Sequence, residues 1–122
     1  MTAPALDPQS GELATVDVSV AGASATVRAA GEIDSTTAPL LNQHLSALLD
    51  TDVREIVVDL GRVTFLDSAG LCALATAHRR ARRQDVRLRV LATSRAVVRP
   101  LQITGLWDLL RAEQVADAGR VA

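Results

Sequence analysis

The sequence has no lysine and no tyrosine, and only one phenylalanine, one tryptophan and one cysteine in 122 residues. Each shortage excludes something. The single cysteine, Cys72, rules out an internal disulfide and points to a reducing compartment. With aromatics at 2%, the surface has almost no flat rings on which nucleobases could stack. The thirteen basic residues, all arginine, face fourteen acidic ones, and a formal net charge of -1 gives no bias toward nucleic acid or a membrane surface. No apolar run approaches the length of a membrane span. The opening "MTAPALDPQSGEL" also lacks the basic start and apolar stretch of a secretory leader. A cytoplasmic protein with no direct nucleic-acid or membrane partner is the expectation.

What is present is aliphatic. Hydrophobic residues at 48% and charged residues at 22% place the chain among globular proteins, and its length suffices for one core. Residues 1–12, rich in Pro, Gly, Ser and Ala, are expected to form a flexible arm. "LATVDVSV" then alternates as a half-buried strand, with Val16, Val18 and Val20 on one side. A turn over residues 21–23 leads into a second, more weakly alternating strand carrying Val27 and Ala29.

"GEIDSTTAP" closes in helix-start chemistry, with Asp34, Ser35 and Thr36 as candidate caps and a proline in the first turn. Leu41, Leu45 and Leu48 follow at helical spacing to about Asp50. "REIVVDL" (54–60) reads as the central strand, because Ile56, Val57 and Val58 leave no polar face. A second helix opens at Ser68 and carries Leu71, Leu74, Ala75 and Ala81. "VRLRVLA" (86–92) alternates as a strand. A third helix is capped by Ser94, passes Pro100 and stops at Gly105. "LWDLL" reads as a short last strand or turn, and residues 112–122 as a weakly ordered C-terminal segment. The order predicts an α/β domain over residues 13–111, with a mixed β-sheet and helices packed mainly on one face.

Most candidate chemistry falls away on spacing. His44 and His78 lie in different helices without cysteine or paired-acid partners, so no metal is expected. Cys72 has no accompanying base and reads as a small buried core residue. Arg79, Arg80, Arg82 and Arg83 crowd the C-terminal end of a helix, where cations complement the macrodipole. A solvated helix end is the simpler reading, and a docking surface for an acidic partner the other. No glycine-rich phosphate loop and no nucleophile elbow is present, so neither a cofactor nor a catalytic residue is expected. "FLDSAGL" (65–71) remains. Asp67 and Ser68 are preferred helix-cap types, and plain capping explains both on local grounds.

Taken together, "GEID", "REIVVDLGRVTFLDSAGL" and "VLATSRAVVRPLQITGLWDLL" resemble the STAS domain of bacterial anti-sigma factor antagonists, from about Leu13 to Leu110. The resemblance implies a non-catalytic regulator whose unphosphorylated form binds an anti-sigma factor that is also an ATP-using serine kinase, releasing a sigma factor. Ser68 would be the phosphorylated residue, and a serine phosphatase would restore it. Asp67, Ser68, Ala69, Gly70 and Leu71 match the family's D-S-x-G-L motif. Glu32, Ile33 and Asp34 match its GELD-like loop, which together with Ser35 would contribute to partner contact. Ala69 stands where many members carry a second hydroxyl, leaving Ser68 the only acceptor in the motif. The alternative from a different class is a STAS accessory subunit that docks on the ATPase of a lipid-transporting ABC system.

Overall fold

The computed structural model describes residues 14–116. The expected N-terminal arm and the last part of the C-terminal segment lie outside them. β1 (Ala14–Ala21) and β2 (Ser24–Ile33) form an antiparallel hairpin. Its tight turn relies on Gly22 at φ 62, in the left-handed region that two-residue hairpins require. Helix α1 (Ala38–Leu49) carries the chain to β3 (Glu55–Leu66), which pairs with β2 in parallel. Helix α2 (Ser68–Arg83) then leads to β4 (Arg87–Ala92), parallel to β3. Helix α3 (Arg95–Ile103) and the single turn α4 (Leu106–Leu109) precede β5 (Glu113–Gln114), which pairs with β4. The five strands lie in sequence order in one mixed sheet.

The expected architecture is the observed one. On the helix side of the sheet, Val27 and Ala29 of β2, Ile56 and Val58 of β3, and Val90 of β4 are buried. Leu41, Leu45 and Leu48 of α1 and Leu74 and Ala81 of α2 close over them. Arg28, Val57, Asp59 and Arg89 point to the other face and are half-buried or exposed.

Three local expectations change. The central strand is not apolar on both faces, since Val57 is only half-buried, and it runs well past Leu60. Its register against β2 slips twice: Arg28 pairs with Asp59 but Ala30 with Arg62, and Gly31 with Val63 but Glu32 with Phe65. Each slip inserts one extra residue into β3, the signature of a bulge. The bulges turn strict alternation into a spacing of three, so that Leu60, Val63 and Leu66 all face the core. Gly61 sits at the first, its N–H bonded to Asp59 Oδ1 at 2.9 Å.

"LWDLL" forms α4 rather than a strand. Leu106 and Leu110 are four apart, the Leu110 N–H bonds the Leu106 carbonyl at 2.8 Å, and Leu110 is buried. The last strand comes later, at Glu113–Gln114, within the segment whose pattern is weak. On α2 the buried face is Gly70, Ala73, Leu74, Ala77 and Ala81, which leaves Leu71 and Ala75 only half-buried.

Candidate functional site

The two bulges deliver the ends of β2 and β3 to the same edge. Glu32 pairs with Phe65 and Ile33 with Leu66, and the Asp67 N–H donates to the Ile33 carbonyl at 3.2 Å as the last rung. The loop that follows β2 and the loop that follows β3 are therefore neighbours. All the residues singled out from the two motifs, Glu32, Asp34 and Ser35 from one and Asp67 to Leu71 from the other, meet at the carboxyl ends of adjacent parallel strands. In open α/β sheets this end is where functional groups gather.

At the second corner the polar work is done by Asp67 alone. It is the N-cap of α2, with extended backbone (φ -105, ψ -168), and its Oδ1 accepts from the Ala69 N–H at 2.9 Å and, less closely, from the Gly70 N–H at 3.4 Å. Its carbonyl accepts the Leu71 N–H at 3.0 Å. Ser68 is the first helical residue. Its side chain is exposed and takes part in no hydrogen bond among the described residues. The capping that the sequence shares between Asp67 and Ser68 thus belongs to the aspartate.

Gly70 is buried and sets how closely α2 lies on the sheet. A Cβ there would stand 2.4 Å from Leu66 Cδ1 and 2.9 Å from Ile33 Cγ2. Only glycine lets the first turn of the helix settle on the ends of both strands. Ala69 and Leu71 flank it, half-buried.

The first corner is tied down differently from the expectation. The N-cap of α1 is Thr37, one residue beyond the candidates Asp34, Ser35 and Thr36, and its side chain makes no capping bond to the helix. Asp34 Oδ1 instead accepts from the N–H groups of Thr36 at 2.9 Å and Thr37 at 3.2 Å, and the Asp34 carbonyl accepts from Ala38 at 2.7 Å. Thr37 is the one buried polar side chain among the described residues. Its hydroxyl donates to the Glu32 carbonyl at 2.7 Å and accepts from the Asp34 N–H at 2.9 Å. Glu32 and Ser35 are left exposed.

Cys72 is a correction: it is exposed, not a core residue. The core face of α2 passes through Gly70, Ala73, Leu74 and Ala77, which turns Cys72 outward, into a shallow groove between α1 and α2. The groove, about 400 Å³, begins at Ser35 and Ala69 beside the corners and continues past Pro39 and Ala73. Phe65 is a further feature that sequence patterning missed. It is 46% exposed beside Glu32, because the second bulge puts it on the outer face. The one visible signal was that an apolar pair precedes Asp67, and only one member of that pair, Leu66, is buried.

At the other end of α2 the arginine cluster divides. Arg80 crosses to α1, where its guanidinium bonds the Ser46 hydroxyl at 3.0 Å and pairs with Asp50, while Arg79, Arg82 and Arg83 are exposed. Among the described residues no helix is long and apolar enough to cross a membrane, and no group of His, Cys, Asp or Glu is gathered in a metal-binding arrangement.

A mixed sheet whose parallel strands end in two adjoining helix starts, one presenting D-S-x-G-L, defines a class, and residues 15–118 match the model of the STAS domain: the chain belongs to that family. It is 32% identical over 88 residues to the anti-sigma-B factor antagonist of Staphylococcus aureus, an alignment covering 72% of this chain and 82% of that protein. Among solved structures it is similar to an anti-sigma factor antagonist from Mycobacterium paratuberculosis, with a TM-score of 0.75, 32% identity, and coverage of 81% of this chain and 84% of that one. The fold is also that of the anti-sigma factor antagonist SpoIIAA in its unphosphorylated form, at a TM-score of 0.73, 19% identity, and coverage of 86% and 91%.

Proposed function

We propose that the chain is an anti-sigma factor antagonist switched at Ser68. In the unphosphorylated state it binds an anti-sigma factor that is also an ATP-using serine kinase, and so frees a sigma factor. Phosphorylation by that kinase ends the contact, and a serine phosphatase restores it. The chain acts by binding, in the cytoplasm, and catalyses nothing itself. The observation that carries this reading is the division of labour at the second corner: Asp67 holds the helix start, and the neighbouring hydroxyl is exposed and has no hydrogen bond among the described residues. A hydroxyl already spent on a cap could be modified only by breaking the cap. The relatives' names support the same role.

The physics of the switch follows from what Asp67 has taken. A phosphate brings about -1.5 to -2 charges and three acceptor oxygens. A helix N-terminus ordinarily welcomes an anion, but the Ala69 and Gly70 N–H groups already face the Asp67 carboxylate. The new charge therefore finds few donors within its own domain and projects outward beside an existing negative charge. A surface that had met a neutral hydroxyl would have to desolvate a compact anionic knob. Leaving such a charge unmatched costs about 2–5 kcal/mol, or roughly 30-fold and upward in affinity.

Titration calorimetry of the kinase partner against wild type, Ser68→Ala and Ser68→Asp tests the reading. Wild type and the alanine variant should bind alike and the aspartate variant about 30-fold more weakly or worse. Incubation with kinase and ATP should label wild type and leave Ser68→Ala unlabelled. Equal affinity of all three proteins would refute the switch, and co-purification with a transporter ATPase in place of a kinase would favour the accessory-subunit alternative.

A further inference from the structure

The far end of α2 carries a second concave feature, about 24 Å along the helix from Ser68 by its sixteen residues. A cleft of about 550 Å³ opens between the last turns of α2, strand β4 and the α4–β5 segment. It lies within the usual volume of small-molecule sites, roughly 300–1,000 Å³. Val86, Leu88 and Leu110 give it an apolar floor, and four arginines, Arg82, Arg87, Arg89 and Arg111, line it against two carboxylates, Asp108 and Glu113. Arg87 and Arg89 reach Glu55 at 3.9 Å, and Arg89 reaches Glu113 at 3.4 Å. Arg82 and Arg111 are in no ion pair among the described residues. With Glu55 counted, four arginines face three carboxylates, and the negative end of the α2 dipole, roughly half a charge, lowers this excess without cancelling it.

Two independent features mark the same place. Both helices that end at the cleft do so through a Schellman arrangement. In α2 the Val86 N–H bonds the Ala81 carbonyl at 2.8 Å, and in α4 the Ala112 N–H bonds the Trp107 carbonyl at 2.9 Å. The left-handed position in such an ending is usually glycine. Here it is Asp85 at φ 61 and Arg111 at φ 52, the only non-glycine residues with positive φ among those described. Asparagine-like Asp tolerates this conformation, whereas Arg does so at a cost, and strain of this kind gathers at ligand sites. The left-handed backbone at Arg111 places an arginine in the cleft wall where glycine would be the easier choice. His78 also lines the cleft, and its Nε2 is buried with no hydrogen-bond partner among the described residues.

We propose that this cleft binds a small, multiply charged anion, held by Arg82 and Arg111 over the apolar floor, at a site separate from the Ser68 corner. The volume of about 550 Å³ suits a small molecule better than an extended acidic peptide. Burial first, and then the neighbouring Arg82 charge, hold His78 below its ordinary pKa of 6.5, so the imidazole is neutral near pH 7 until an anion enters. The inference does not depend on phosphorylation of Ser68.

Inorganic tripolyphosphate is the probe. Calorimetric titration of the full chain at low salt should show saturable one-to-one binding, weakened about tenfold by Arg82→Ala and by Arg111→Gly. Arg111→Gly should at the same time melt no lower than wild type, since glycine relieves the left-handed strain, so lost binding would not be lost folding. Arg62→Ala, outside the cleft, should bind as wild type. In proton NMR the His78 imidazole should titrate at higher pH when tripolyphosphate is present. Absence of saturable binding, an equal loss in Arg62→Ala, or binding of a polyglutamate peptide in place of tripolyphosphate would each overturn the proposal.

Discussion

The two corners that form the candidate site begin alike and end differently. Each opens with Asp-Ser, Asp34-Ser35 after β2 and Asp67-Ser68 after β3, and in each the aspartate Oδ1 takes the N–H groups two and three residues on. The third residue beyond the aspartate parts them. At the first corner it is Thr37, whose buried hydroxyl ties the loop to the Glu32 carbonyl and the Asp34 N–H. At the second it is Gly70, whose missing side chain lets α2 rest on Leu66 and Ile33. Beyond the aspartate bonds that both share, one corner is fastened by a buried hydroxyl and the other by close packing. The difference bears on function: packing leaves the polar surface of the second corner free, and Ser68 stands there at the start of a sixteen-residue helix.

The comparison can be broken most forcefully at Thr37. Thr37→Val keeps the shape and removes the hydroxyl, leaving the Glu32 carbonyl and the Asp34 N–H without their partner. An unsatisfied buried polar group costs about 1–3 kcal/mol, so urea unfolding should show a loss in the upper part of that range. Thr37→Ser keeps the oxygen and should restore most of it. If Thr37→Val unfolds with wild-type stability, the first corner is not held by its hydrogen bonds.

Gly70→Ala tests the second corner. Alanine is the better helix former by about 1 kcal/mol, but its Cβ would overlap two side chains fixed in the core. Overpacking of this kind costs about 1–3 kcal/mol, so a net loss of up to about 2 kcal/mol is the expected result. A stabilised Gly70→Ala protein would show that helix propensity, not close approach, governs the position. Asp67→Ala comes next, at about 1 kcal/mol for a lost cap. Asp67→Asn should recover most of the stability, since an amide oxygen can accept the same bond.

How much of this was written in the sequence depends on the range of the cause. The hairpin, the α1 stripe of Leu41, Leu45 and Leu48, and the mixed sheet follow from local periodicity and turn chemistry, and they were legible. The motif residues Asp67 to Leu71 were legible as a helix start. That Asp67 caps while Ser68 does not is a matter of backbone angles at two adjacent residues, and both types are good caps. The bulges in β3 were invisible, because they break the alternation by which a strand is recognised, and the exposure of Phe65 was hidden with them. Cys72 went astray for a related reason. A helix rich in Ala and Gly has a blurred apolar face, and a cysteine two residues from the buried Gly70 can be assigned to either side.

The smallest expected change is the most telling. Ser68→Ala and Ser35→Ala each remove an exposed hydroxyl with no hydrogen bond among the described residues, and each should alter stability by less than about 0.5 kcal/mol. In folding the two serines are therefore equivalent. They separate only before a kinase. Ser35 sits within the loop that Thr37 fastens ahead of α1, at the rim of the groove between α1 and α2, whereas Ser68 is the first residue of α2 and stands outside that groove. Phosphate transfer followed by intact-mass measurement should give one added phosphoryl group on wild type, one on Ser35→Ala and none on Ser68→Ala. Label persisting on Ser68→Ala and vanishing on Ser35→Ala would move the switch to the other corner, and with it the meaning of the difference between them.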